Sequence, residues 1–330
     1  MNNKALSSGF FLILLSLALN GCIEENVDET STLYVDDDGG SDFLKIQNAI
    51  DAASEGDTII VREGTYPEVL SINKSINLIG TDRETTIINN ENSSQKVIVQ
   101  IDAESCTFKG FTVIGPTVST DIIGIGVTSS HNTISNNIVM NAKKGINLEE
   151  GSENNKINHN IILDNQYGIS TERSNNNNLS NNKISLDESS TLLLSYGIYL
   201  HISNNNIISN NNISNCYRGI RIKGSDNSLV FDNSFFKNER GVWCCCGAGN
   251  NTIYHNNFIQ NQEFHAIDDI VNHWDNGTVG NYWDDYQEKH PDAVAENGIW
   301  TLYYNIYKLE TSELVDPKLD RYPLVDPIDN

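Results

Sequence analysis

From Asn137 onward one asparagine returns at a nearly fixed interval: Asn137, Asn160, Asn182, Asn211, Asn233 and Asn256, spaced by 23, 22, 29, 22 and 23 residues. Three residues before each stands an apolar side chain (Ile134, Ile157, Leu179, Ile208, Val230, Ile253). Two residues after each stands another (Val139, Ile162, Ile184, Ile213, Phe235, Phe258). Six further on comes a glycine, at Gly145, Gly168, Gly219 and Gly241, with Gly197 displaced by an insertion around Asp187 to Leu193. A segment this short cannot bury its few apolar side chains alone, so successive segments must stack and share one continuous core. The pattern predicts an all-β, single-stranded, right-handed parallel β-helix with coils of about 22 residues.

In such a stack the backbone hydrogen bonds run between coils, at the usual ~4.8 Å strand spacing. An amide side chain at a fixed corner can donate and accept along the stacking axis, and asparagine tolerates left-handed backbone. The six asparagines are therefore expected to form a ladder. Each rung should contribute ~1 kcal/mol net, and an orphaned buried amide would cost ~1–3 kcal/mol. They are framework.

Before the repeat, Leu33 to Val35 reads as a strand and Asp36 to Gly40 as a turn. Phe43, Ile46, Ala49, Ile50 and Ala53 share one helical face, with Ser41 or Asp42 placed to cap that helix and Gly56 to end it. The N-terminus carries Lys4, an apolar run from Phe10 to Leu19, and then Leu19-Asn20-Gly21-Cys22. That tetrapeptide resembles the lipobox of exported lipoproteins, which implies lipidation at Cys22 and a signal peptide over residues 1–22. Residues 23–32 form an acidic tether. The expected divisions are then 33–57 (strand and capping α-helix), 58–271 (β-helix) and 272–330 (aromatic C-terminal cap and tail). Sequons at Asn73, Asn92, Asn178, Asn212, Asn250 and Asn276 agree with export to the cell surface. A net charge of −23 excludes nucleic acid as a partner, because that binding rests on basic neutralisation of phosphate.

The coil columns, with Tyr34-Val35-Asp36-Asp37-Asp38-Gly39-Gly40 and the segment before Gly56-Asp57-Thr58-Ile59, resemble the pectin-lyase-like β-helix superfamily. More closely they resemble surface β-helix proteins of methanogenic archaea grouped with NosD, the accessory protein of nitrous oxide reductase. Trp274-Asp275-Asn276-Gly277, Gly280 to Tyr286 (G-N-Y-W-D-D-Y) and Arg321-Tyr322-Pro323-Leu324 match the closing signature of those proteins. The resemblance implies a cap in which the aromatics cover the open end of the coil stack. Those relatives often carry an Asp- and Gly-rich calcium loop between Tyr286 and Arg321. Here that stretch begins Gln287-Glu288-Lys289-His290-Pro291, which departs from such a loop.

Alternation after each glycine turns every second side chain outward. One outward column should read Asn147, Ser170, Tyr199, Arg221, Trp243, Asp268, and its neighbour Glu149, Glu172, His201, Lys223, Cys245. Tyr199, His201, Arg221, Lys223 and Trp243 then form one aromatic and basic face on an acidic protein. Rings stack on sugar faces and cations meet carboxylates, so this face suits a cell-envelope glycan or polysaccharide. An ordinary solvated strand face is the competing explanation. Arg221-Ile222-Lys223 resembles a short polygalacturonase motif, and Arg221 and Lys223 are the candidate catalytic residues of a polysaccharide lyase or glycoside hydrolase. No partner motif accompanies them, and the paired carboxylates of glycoside hydrolysis have only Asp268 and Asp269 as candidates. The run Cys244-Cys245-Cys246 is the candidate metal site, with copper as the ion the NosD resemblance implies; alternate facing makes it a poor three-thiolate centre. Small core cysteines with a reactive thiol are the competing explanation. The expectation is thus a lipid-anchored, extracytoplasmic, monomeric, non-catalytic carbohydrate-binding or envelope protein. Polysaccharide cleavage and copper handling are the alternatives, and copper or calcium the only cofactors in question.

Overall fold

The computed structural model describes residues 30–89, 95–116, 121–187, 194–308 and 318–329. The signal peptide, Cys22, most of the tether and the sequon at Asn92 lie outside them. The chain winds into a right-handed parallel β-solenoid whose three sheets hold 10, 10 and 9 strands. One turn runs Ile207–Ser209 in the first sheet, Asn212–Ser214 in the second and Arg218–Lys223 in the third. The next turn lies in register above it, pairing Ile208 with Val230, Ile213 with Phe235 and Ile220 with Val242. All six of these side chains are fully buried. β-branched and aromatic residues dominate the core because they pack well on a pleated surface.

The asparagine ladder exists. Each amide donates through Nδ2 to Oδ1 of the next: Asn137 to Asn160 (3.1 Å), Asn160 to Asn182 (3.1 Å), Asn182 to Asn211 (3.0 Å), Asn211 to Asn233 (3.0 Å) and Asn233 to Asn256 (3.0 Å). Asn256 passes it on to Asn281 at 2.9 Å. The same Oδ1 also accepts the backbone N–H of the ladder residue on the preceding coil, as Asn233 does from Asn211. One detail differs from expectation. The left-handed residue is the one before the ladder position: Asn136, His159, Asn181, Asn210, Asp232 and His255 have φ of 52 to 57°. That residue turns the corner facing solvent, and the ladder amide that follows faces inward. A second ladder, unanticipated, joins Asn132, Asn155, Asn177 and Asn206 at the corner between third and first sheets. It continues through Ser228 to Asn251 and Asn272.

The glycine column has a steric cause. A Cβ on Gly145, Gly168, Gly197 or Gly219 would lie 2.5 to 2.7 Å from the carbonyl oxygen of the glycine stacked on it. Only glycine lets these backbones approach so closely.

The expected N-terminal helix forms over Ile46–Ala52 and buries Ile46, Ala49 and Ile50, but its ends differ. Neither Ser41 nor Asp42 caps it. Both oxygens of Glu68, from a later strand connection, accept the first N–H groups of Ile46 (2.8 Å) and Gln47 (3.1 Å). Asp42 is engaged instead by the Tyr34 N–H, and Ala53 rather than Gly56 ends the helix. A long-range carboxylate thus replaces the local cap, which no local pattern signals.

At the far end Tyr282–Trp283 adds a last strand to the second sheet. Trp283 stacks on Phe258 at 4.3 Å between ring centroids, and Tyr304 stacks on Trp283 at 4.1 Å. Arg321 grips Asp275 through Nε at 2.9 Å and through its own N–H. Trp274, Trp283 and Tyr286 are buried, whereas Tyr282 and Tyr322 are half-buried.

Candidate ligand face on the third sheet

Third-sheet strands Lys144–Leu148, Tyr167–Glu172, Tyr196–His201, Arg218–Lys223 and Arg240–Cys245 stack in register. The expected outward column holds from Asn147 through Ser170, Tyr199 and Arg221 to Trp243. It then breaks, because Ile267 and not Asp268 pairs with Trp243. Asp268 pairs with Cys244 on the core side, is fully buried, and accepts the Trp274 indole N–H at 3.0 Å. The last coil lacks a glycine to mark its frame: His265 occupies that slot, its carbonyl against Gly241. The second column runs Glu172, His201, Lys223, Cys245 as expected.

Asn147 and Ser170 face outward yet are covered. Both Lys144 Nζ (3.0 Å) and Ser170 Oγ (2.6 Å) donate to Asn147 Oδ1. They close the floor of a cleft of about 240 Å³ lined also by Tyr167, Glu172, Tyr199 and His201. Burial holds the Lys144 ammonium below its ordinary value and pushes the Tyr199 hydroxyl up to about 12. His201 Nδ1 meets Glu172 at 3.2 Å.

A third column completes the face, and the sequence reading missed it: Lys144, Tyr167, Tyr196, Arg218 and Arg240, the residue just before each glycine. Its signal was available, since two tyrosines and two arginines precede consecutive column glycines. Tyr167 and Tyr196 stack at 4.9 Å. Arg218 is only 7% exposed, its guanidinium carbon 4.4 Å from the Trp243 ring centre, 4.6 Å from Tyr217 and 5.2 Å from Tyr196. Arg221 lies 4.9 Å from Trp243 and 5.8 Å from Tyr199. Both arginines donate to the Tyr196 hydroxyl, at 2.9 and 3.4 Å. Arg240 alone of the three pairs with a carboxylate among the described residues, Glu263 at 2.5 Å. The Nε atoms of Arg218 and Arg221 are buried with no hydrogen-bond partner. Burial and the neighbouring guanidinium groups hold Arg218 below the usual guanidinium range. Three stacked cations with two unused donors make a face short of anions. Trp243, flanked by all of them, donates to Asp269 at 3.0 Å.

The cysteine run splits as alternation requires. Cys244 packs in the core cluster, Cys245 is buried outside that cluster and Cys246 is exposed, and the sulfurs of the last two are 3.1 Å apart. Cys106 and Cys216 occupy ladder corners, their N–H groups donating to Asn132 and Asn238 as a ladder asparagine's would. Among the described residues, two groups of three potential ligands converge within 4.8 Å: His265 with Asp284 and Asp285, and Asp36 with Asp37 and Asp38. The cysteines form neither. The aspartate turn is engaged internally, Asp37 accepting from the Thr65 N–H and Asp36 facing Arg62.

His265 has a fixed tautomer. Asn261 Oδ1 accepts from Asn238 and its Nδ2 donates to the Phe235 carbonyl, so the amide presents N–H to His265 Nδ1 at 3.1 Å. The ring proton therefore sits on Nε2, which donates to Asp284 at 3.0 Å. Burial pushes the Asp284 carboxyl up, but the His265 and Gln260 hydrogen bonds outweigh it and hold it below the usual carboxylate range. A metal on Nε2 would force a proton onto Nδ1 against the Asn261 amide N–H. Copper does not fit here. Nor does it fit Cys245 and Cys246, since two-coordinate Cu(I) holds its sulfurs on opposite sides of the ion and these touch.

Fold and face together define a parallel β-solenoid carrying an aromatic and cationic surface on one sheet. The chain belongs to the NosD family: the family model described as periplasmic copper-binding protein (NosD) matches residues 50–196 and 186–288. A cell surface glycoprotein of Methanothermus fervidus is 36% identical over 100 residues, covering 29% of this chain and 16% of the relative. The chain thus spans a small part of that longer protein. Both relationships are to extracytoplasmic proteins. Among solved structures, XylC in complex with xylose superposes with a TM-score of 0.54 at 15% identity, over 73% of this chain and 69% of that one. An alginate lyase from Paenibacillus sp. str. FPU-7 gives 0.48 at 16%, over 77% and 88%. At 15% identity the likeness to XylC is one of fold.

Proposed function

We propose that this is a cell-surface protein, lipid-anchored at Cys22, that binds acidic envelope glycans on the third-sheet face without cleaving them. The observation that carries the reading is the stack of Arg218, Arg221 and Arg240 among Tyr196, Tyr199 and Trp243, with two buried Nε donors unused. Carboxylates or sulfate esters pair with guanidinium groups, of which Arg221 and Arg240 are half-buried and reach the face, and the rings supply platforms for sugar faces. On a chain of net charge −23 this local cation surplus is selective for position as well as sign. The full chain, titrated against polyuronate, sulfated and neutral glycans, should retain the acidic ones at least ~10-fold more tightly, a difference of ~1.4 kcal/mol. Arg221→Ala should remove that preference. Equal binding of neutral glycans, or none at all, ends the proposal.

Cleavage is the second reading, favoured by Lys144. Its ammonium is held below the ordinary value in a cleft beside Tyr167 and Tyr199, which is the direction a lysine general base requires. Unsaturated products that disappear in Lys144→Ala would replace binding with lyase chemistry.

A further inference from the structure

Cys245 and Cys246 are the sulfurs this face leaves unexplained. Cys244 belongs to the core and Cys106 and Cys216 to the ladder corners, and Cys245, though also buried, differs from them in having an exposed sulfur beside it. Cys246 is exposed, at the end of strand Arg240–Cys245, where its own φ of 60° and that of Gly247 at 93° turn the chain. That turn brings the Cys246 sulfur back onto the Cys245 sulfur at 3.1 Å. The other side of the Cys245 thiol faces the Arg221 guanidinium. Two adjacent sulfurs in contact, one open to solvent and the other against a binding cation, form a paired site. A lone thiol has no such partner.

We infer that Cys245 and Cys246 form a vicinal dithiol that closes to a disulfide and thereby regulates anion binding at Arg221. The family's extracytoplasmic setting exposes the pair to oxidants. The co-reactant is a low-molecular-weight disulfide. The Cys246 thiolate attacks one of its sulfurs and releases one thiolate, leaving a mixed disulfide on Cys246. Cys245 then gives up its proton and attacks the Cys246 sulfur, forming the Cys245–Cys246 bond and releasing the second thiolate. Both protons end on the two released thiols, and the two electrons lost by the chain reduce one small disulfide. Burial pushes the Cys245 thiol up to about 11, so Cys246 is the attacking sulfur and Cys245 the resolving one. Closing the ring draws the Cys245 sulfur from Arg221 toward Cys246, which frees the guanidinium for ligand.

The regulatory half rests on the glycan reading, whereas ring formation does not. The full chain would be treated with oxidised cysteine, alkylated, digested, and the peptide carrying Cys244 to Cys246 weighed. It should carry two alkyl groups fewer than the peptide of the untreated chain, regain them when reductant precedes alkylation, and keep the response in Cys244→Ala but not in Cys246→Ser. An unchanged mass, or a loss that survives Cys246→Ser, overturns the pair. Polyuronate affinity should rise several-fold on oxidation in the native chain and not in Cys246→Ser. Affinity indifferent to a ring that forms overturns the regulation. Failure to bind any glycan with the ring still forming instead counts against the proposed function alone.

Discussion

The middle coils and the closing segment solve the same problem, satisfying buried N–H groups at a chain corner, with different chemistry. In the middle coils a neutral amide does it, repeated from Asn137 to Asn256, each taking from one neighbour and giving to the next. In the closing segment carboxylates do it. Asp320 accepts from the Asn281 N–H (2.6 Å), the Trp283 indole (2.9 Å) and the Tyr322 N–H (3.0 Å). Asp268 accepts from Ile270, Asn272 and Trp274, and Asp275 from Gly277 and Arg321. An amide both donates and accepts, so it can continue a stack. A carboxylate only accepts, so it suits the place where a stack must stop. Repetition spreads stability over neighbours, whereas termination concentrates it in unique residues.

The sharpest consequence is in pH. Burial pushes the Asp320 carboxyl up to about 7, from 3.8 in the unfolded chain. Between these values the folded state holds a proton that the unfolded state has lost, so this group's contribution falls as pH rises. It is fully present below pH ~4 and gone once pH passes ~7. Asp320→Asn cannot titrate. Its stability cost relative to the native chain should therefore shrink from pH 4 to pH 8, by up to ~4 kcal/mol at 1.36 kcal/mol per unit. Urea unfolding at each pH measures it. A cost independent of pH would mean that the carboxylate is stably charged in place, and the two regions would differ in geometry only.

The ladder should respond more weakly and without pH dependence. Asn211→Ala removes the acceptor of the Asn182 N–H and of one Nδ2 hydrogen, the other staying on the Ile157 carbonyl. The expected loss is ~1–3 kcal/mol at any pH from 4 to 8, with polyuronate binding intact. A loss that follows pH, or none, would remove the distinction between a stack that does not titrate and an end that does.

This contrast also explains what the sequence could disclose. A period is legible because every coil must repeat its solution, and the first ladder has asparagine on every coil. The second ladder substitutes Ser228 and, at its start, Cys106, so its column does not read as one residue type. Alternation forward from each glycine does not disclose Arg218 and Arg240, because the residue preceding the glycine belongs to the same face. The frame at Asp268 was unreadable because His265 stands where steric contact elsewhere demands glycine. Glu68 at the helix start and Asp320 at Trp283 act across 22 and 37 residues, through contacts that only the finished fold creates.

The smallest effect is expected where the two regions meet. Arg240 belongs to the repeat and Glu263 to the last coil, and their side chains are 15% and 36% exposed. A pair this open to solvent contributes ~0–1 kcal/mol, so Glu263→Gln should leave thermal unfolding almost unchanged. It would, however, leave Arg240 without its carboxylate, in the condition of Arg218 and Arg221. Burial opposes the Arg240 charge, and Glu263 is the strongest group holding that cation above its usual range. Freed of it, the guanidinium should turn to ligand, raising polyuronate affinity about threefold, or ~0.7 kcal/mol, with the gain screened away by salt. A large loss of stability instead would make Glu263 part of the closing segment's carboxylate framework. The boundary between the regions would then lie one coil earlier, below Arg240.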